Sequence, residues 1–225
     1  MESLCEETLA DRIDVRTDSI TMFKGFMYAN HSYLEIYQLM KYVQNHDMSK
    51  KEYYEHAKEH LALEDLIDWA IFEAYCHNGD LSGNVRYFKS SDADERWHFV
   101  YYDVECGFKA AASFDAVMAN GQTAIFFKAL LKNREFREML LERLAYHCKN
   151  TFQQEKVLEL LYRYDAAVRP ETERHFKRWN MQPITYLYNF NKMEKLLKAD
   201  RVRELQLSAK RYFKMSDAEY KKYFL

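Results

Sequence analysis

Four oxygen-bearing side chains fall within one short stretch: Asp80, Asn84 four residues later, Asp103, and Glu105 two residues beyond it. Between them lie two strand-like runs, 85–88 (VRYF) and 97–102 (WHFVYY), separated by a polar segment 90–95 suited to a hairpin loop. Pairing of the runs would carry Asn84 and Asp103 to the same end. Hard oxygen ligands there suit a divalent cation such as Mg2+, which is held by one or two carboxylates while phosphates supply the rest. Asp80 would then be free to orient or deprotonate an attacking hydroxyl, as an Asp does in phosphoryl transfer. Asp and Asn are also ordinary loop residues that bond their own backbone, so spacing alone leaves both readings open.

The elements that must position these groups are mostly helical. Gly 5 and Pro 2 are scarce in 225 residues, whereas Tyr 18, Phe 15 and Met 10 are abundant, so turns are few and regular elements long. Apolar residues recur helically over 31–43, and Ser49 followed by Glu52 reads as a capping box starting a helix that runs to about His60. The segment 63–76 is apolar around most of its circumference, as a central helix is. Further helices are expected over 123–132, 136–149, 152–164 and 171–179, and a single long one over 186–212; 110–120 reads as an exposed loop. Three of the five glycines, Gly79, Gly83 and Gly107, surround the polar cluster, where tight turns or close backbone approach are needed. The expected fold is mainly α with a small antiparallel β-hairpin at about 85–102. Residues 1–30 form a lead-in or remnant, and 31–225 form the helical domain.

Lys plus Arg number 33 and Asp plus Glu 35, and no basic run is interleaved with aromatics, so nucleic acid is not an expected partner. No run of 18 apolar residues is present, so no membrane span is expected. Glu2, Glu6 and Glu7 are the opposite of a signal peptide's basic start; if the protein is exported, its signal lies outside this chain. Cys5, Cys76, Cys106 and Cys148 make no CxxC pair, and buried free thiols are expected in preference to a Cys76–Cys106 bridge. His56 and His60 are four apart on one helix but meet no metal motif. His98 reads as a packing or surface residue.

The strings NGDLSGNVRYFK (78–89) and RWHFVYYDVECGF (96–108) resemble the CotH kinase family, the spore coat protein H-like kinases. In that family an Asn-x-Asp motif leads to an Asn-containing loop, a hairpin, and a Trp followed by Tyr-Asp-x-Asp-x-Gly-Phe. The likeness extends through 48–75, 126–147, 168–179 and the end of the chain, covering about 34–224. It implies a fold similar to the carboxy-terminal lobe of an atypical protein kinase, ATP with Mg2+ or Mn2+ as cofactor, and a protein Ser or Thr as phosphate acceptor. Carried over, Asp80 resembles the catalytic Asp, and Asn84 and Asp103 the metal- and nucleotide-binding pair. Glu105 stands as a further metal ligand where relatives have a second Asp, and Val85 stands where many have a second Asn.

A kinase also needs a Gly-rich strand-turn-strand and a Lys over the phosphates. Gly25 stands alone in 1–30, and Lys24 beside it follows no evident strand. The chain therefore reads as an incomplete kinase, weak for ATP on its own. The alternative is a catalytically inactive helical interaction domain. A hydrolase using Asp103 and Glu105 as paired carboxylates is disfavoured by their adjacency. A lobe lacking its partner would expose an apolar face between 73 and 108, through which a homodimer is expected.

Overall fold

With so few breakers, most of the backbone satisfies its hydrogen bonds locally in helices. The computed structural model describes residues 5–24, 31–81, 84–119, 121–180, 182 and 184–225. Helix α1 (Glu6–Ile13) and a 3-10 turn (Thr17–Ser19) lead into strand β1 (Ile20–Lys24). Helices α2 (His31–Asn45), α3 (Lys51–His60) and α4 (Leu63–Cys76) follow, then the hairpin β2 (Arg86–Ser90) and β3 (His98–Val100). The rest is helical: α5 (Asp115–Ala119), α6 (Gly121–Leu130), α7 (Arg134–Tyr146), a π turn (His147–Thr151), α8 (Gln154–Arg178), α9 (Ile184–Lys198), α10 (Arg201–Tyr212) and α11 (Asp217–Phe224).

Helix α4 has the bounds its apolar pattern implies, and it is the centre of the core. Leu66, Ile67, Trp69, Ala70, Ile71 and Ala74 are sealed from solvent as α5, α7, α10 and β3 pack around it. The hairpin is present but is not a two-stranded ribbon. Strand β1, drawn from the segment read as a lead-in, pairs antiparallel with β2 (Met22 opposite Phe88), and β2 pairs with β3 (Tyr87 opposite Phe99). Alternation then gives the sheet two faces. Phe23, Tyr87 and Phe99 enter the main core, while Ile20 and Met22 pack with Leu9 and Ala10 of α1. Lys24 thus ends a strand, contrary to the sequence reading; Gly25 lies outside the described residues.

Four other expectations differ. The capping box at Ser49 and Glu52 does not form: α3 begins after Lys50 without a side-chain cap, and Asp47 instead takes the Ser49 N–H at 3.2 Å. Ser216 and Glu219 make a capping box at α11. Segments 152–164 and 171–179 are one continuous helix, α8, running through Pro170. Helix α9 packs along it, and Tyr186 donates to Asp165 at 2.7 Å, so lateral support outweighs the one lost backbone bond. The long 186–212 helix is instead two, because Asp200 caps α10 by accepting the Arg203 N–H at 3.0 Å. The 110–120 loop is strapped inward: Ser113 N–H donates to Ala74 O at 2.9 Å, and Phe114 N–H to Ser208 Oγ at 2.9 Å. Asn120 lies outside the described residues.

No helix among the described residues is long and apolar enough to cross a membrane. All four cysteines are free; Cys76 and Cys148 are buried, Cys5 and Cys106 half-buried. Between 73 and 108, Tyr101 is the large apolar side chain left exposed among the described residues, so the apolar face expected there is small.

Candidate functional site

The site is built on the carboxy-terminal end of α4. His77 terminates the helix in the left-handed conformation (φ 52°), and the next residue, Asn78, is fully buried. The Asn78 Oδ1 accepts the Asp80 N–H at 3.2 Å, and its Nδ2 donates to the Asp103 carbonyl at 3.4 Å. One buried amide therefore ties the loop bearing Asp80 to the loop bearing Asp103. Asn84 Nδ2 donates to Asp80 Oδ2 at 3.0 Å, which fixes the amide's orientation, with Oδ1 as its acceptor atom. The hairpin register pairs Arg86 with Val100, so Asn84 and Asp103 leave the sheet at the same end, as expected. Asp103 does not follow β3 immediately; Tyr101 and Tyr102 intervene.

The 103–108 loop is held tightly against α4. Asp103 and Phe108 both have left-handed backbone (φ 51° and 54°), a conformation that non-glycine residues hold only when the surroundings impose it. Gly107 N–H donates to Val104 O at 2.8 Å and Phe108 N–H to Cys76 O at 2.6 Å. A Cβ on Gly107 would lie 2.9 Å from Val104 O and 3.2 Å from Cys76 O, whereas one on Gly79 would meet nothing within 4 Å. The glycine argument thus holds for Gly107 and not for Gly79; Gly83 is outside the described residues. Gly107→Ala is expected to cost about 1–3 kcal/mol by pressing a methyl group on two backbone oxygens, while Gly79→Ala stays within about 0.5 kcal/mol. Urea denaturation of the two variants checks this contrast.

Glu105 is exposed on the turn, while Asp80, Asn84 and Asp103 are half-buried. Among the described residues, Asp80, Asp103 and Glu105 do not form a trio with ligand oxygens within 4.8 Å of one another. What the hairpin register does show is that Asn84 and Asp103 stand at the same end of the sheet. All donors in the set are oxygens, the chemistry that fits Mg2+ or Mn2+ completed by phosphate and water.

Two residues the sequence reading passed over also shape the site. Arg201, 2 % exposed, reaches under the loop from α10; its Nη1 donates to Ala110 O at 3.0 Å and its Nη2 to Tyr75 O. Its guanidinium lies 5.4 Å from the Tyr75 ring centre and 5.2 Å from that of Phe108. Glu73 is fully buried one turn before the end of α4, and neither carboxylate oxygen meets a hydrogen-bond donor among the described residues. Burial pushes its pKa up to about 7, with the Asn78 amide pulling the other way. Nothing in local spacing marks Arg201. Glu73 stands out only as the carboxylate of α4 that falls among its buried residues, since Glu64, Asp65 and Asp68 lie on the same helix.

On the far side of the hairpin, His98 bridges Asp65 on α4 (2.5 Å) and Asp94 in the hairpin loop (3.2 Å). The hydrogen bond to Asp65 raises its pKa. His98 thus joins sheet to helix, an ion-pairing role in place of simple packing.

The family model for CotH kinase protein matches residues 12–202. The chain belongs to the CotH kinase family. The matched span of this CotH kinase chain takes in all three strands, helices α2 to α9, Asn78, and the complete 103–108 loop; it ends just after Arg201. It begins well before the segment in which the likeness was legible. No curated protein and no solved structure matches the chain.

Proposed function

We propose that this CotH kinase chain carries the catalytic and metal-binding side of an ATP-dependent phosphotransferase acting on a protein Ser or Thr hydroxyl. The observation that carries the reading is the buried Asn78 amide, which joins the Asp80 loop to the Asp103 loop at the end of the hairpin where Asn84 also emerges. Asn84, through its Oδ1, and Asp103 would hold Mg2+ or Mn2+, which when bound neutralises charge on the nucleotide phosphates. Asp80 is a base with one oxygen engaged by Asn84; the other is left to receive or orient an acceptor hydroxyl. Glu105, exposed and flexible in reach, is the weakest member of the set.

Calorimetric titration with ATP, in the presence and absence of Mn2+, tests the proposal. Binding should require the metal, and Asp103→Ala should weaken it at least about tenfold, the minimum expected for losing a charged ligand. Asp80→Asn should leave that binding largely intact while abolishing phosphate transfer. If neither parent nor variant binds ATP with Mn2+, the kinase reading fails and a catalytically inactive interaction domain replaces it.

A further inference from the structure

We propose that His56, Glu59 and His60, on the outer face of α3, form a binding site for a divalent transition-metal ion of the Zn2+ class. The three residues stand at positions i, i+3 and i+4 of one helix, so their side chains share a face. One ligand atom from each can be chosen so that all lie within 4.8 Å of one another. Two tetrahedral metal bonds of about 2.0–2.2 Å each span roughly 3.5 Å between ligand atoms, so small side-chain rotations close the site without moving the backbone.

The imidazoles are also prepared for coordination. The His60 Nδ1 lies 2.9 Å from the His56 carbonyl oxygen. Because that oxygen can only accept, Nδ1 carries the proton and Nε2 is left with the lone pair a metal needs. The His56 ring packs 4.4 Å from the His60 ring and 4.2 Å from Tyr42. Tyr42 in turn stacks on His46 at 4.1 Å, and Tyr53 closes on His46 at 4.6 Å. This aromatic cluster, joining α2 to α3, restrains the His56 ring.

The donor set decides the metal. Two imidazole nitrogens with one carboxylate favour Zn2+, Co2+, Ni2+ or Cu2+ over Mg2+, the reverse of the all-oxygen set at Asn84 and Asp103. Glu59 and His60 are exposed, which leaves the fourth position to water, the arrangement of an open zinc site. The two sites are separate: α3 leads through Leu61 to its bridge with Trp97, at the start of β3, and Asp103 lies beyond that strand's other end.

The test uses the full chain after chelator treatment. Co2+ is titrated while the visible d–d absorption of four-coordinate cobalt is followed, and Zn2+ is then added to displace it. One equivalent of Co2+ should give the spectrum, and Zn2+ should abolish it. His60→Ala should weaken binding more than about tenfold and Glu59→Gln by less, in keeping with loss of a ligand. His60 is exposed, so its replacement leaves the core intact; circular dichroism confirms that. Asp103→Ala should bind Co2+ as the parent does. The proposal is overturned if Co2+ gives no such spectrum, or if the His56→Ala/His60→Ala double variant binds as the parent does. Loss of Co2+ binding in Asp103→Ala alone would also overturn it, by moving the ion to the other site.

Discussion

Replacing Arg201 with Met is expected to destabilise the fold by about 2–4 kcal/mol and to free the 103–108 loop. Among the described residues no carboxylate is hydrogen-bonded to the buried guanidinium, and burial lowers its pKa below the ordinary Arg value. Its desolvation is offset by what surrounds it. Tyr75 O belongs to the last turn of α4, the negative end of that helix, where a cation is favoured. Tyr75 and Phe108 present ring faces at 5.4 and 5.2 Å, each a cation–π contact. Met fills much of the volume but leaves the carbonyls of Tyr75 and Ala110 without their donors. An unsatisfied buried acceptor costs about 1–3 kcal/mol, partly returned by removing the buried charge. Lys keeps the charge without the fork that spans both carbonyls, so Arg201→Lys should recover only part of the loss. Urea denaturation gives the energies. Amide exchange at Phe108, whose N–H donates to Cys76 O, reports on the loop. If Arg201→Met is as stable as the parent and Phe108 exchanges at the same rate, Arg201 does not hold the loop.

What was legible in the sequence is what local pattern encodes. Helix α4 could be bounded because it is apolar around much of its circumference and the segment from His77 to Gly83 stops it; the hairpin could be read because its runs alternate and its loop is polar. Asp80, Asn84 and Asp103 were singled out as oxygen donors flanking that hairpin, and by the family resemblance. What was hidden depends on partners distant in sequence. Strand β1 has ordinary composition, and only pairing with β2, some 66 residues away between Met22 and Phe88, makes it a strand. Pro170 suggests a break that the packing of α9 overrides. Asn78 was quoted as part of a motif without a role, since its two bonds reach Asp80 and Asp103 and only the second crosses the fold. His56 and His60 met no motif on spacing alone; their side-chain proximity to Glu59 and the hydrogen bond at His60 Nδ1 distinguish them.

Glu73→Gln is expected to stabilise the protein at neutral pH and above, by up to about 3 kcal/mol, and to do almost nothing at pH 4. The carboxyl is fully buried, its oxygens meet no hydrogen-bond donor among the described residues, and its folded pKa is about 7 against an ordinary value of 4.5. Below pH 4.5 it is protonated in both states and has no effect on the balance. Between pH 4.5 and 7 the unfolded chain releases the proton that the folded chain keeps, so stability falls as pH rises, by roughly 1.4 kcal/mol per unit for one proton. Above pH 7 the full loss is present. The glutamine variant lacks this slope. His98, whose folded pKa is raised, also lends stability that is lost at rising pH, so the difference between parent and variant is the informative quantity. Asp68 and Asp94, held down at about 2, act only in more acidic solution, where stability falls as they take up protons. Parallel stability curves for the two proteins from pH 4.5 to 7 would show that Glu73 does not titrate in the fold. A buried carboxyl that costs this much, one turn from the Asn78 amide that joins the Asp80 and Asp103 loops, is expected to serve the site at the expense of stability. The variant should therefore be more stable at pH 8 yet weaker in metal-dependent ATP binding. A variant that gains stability and binds ATP with Mn2+ as the parent does would make Glu73 a structural burden with no part in the site.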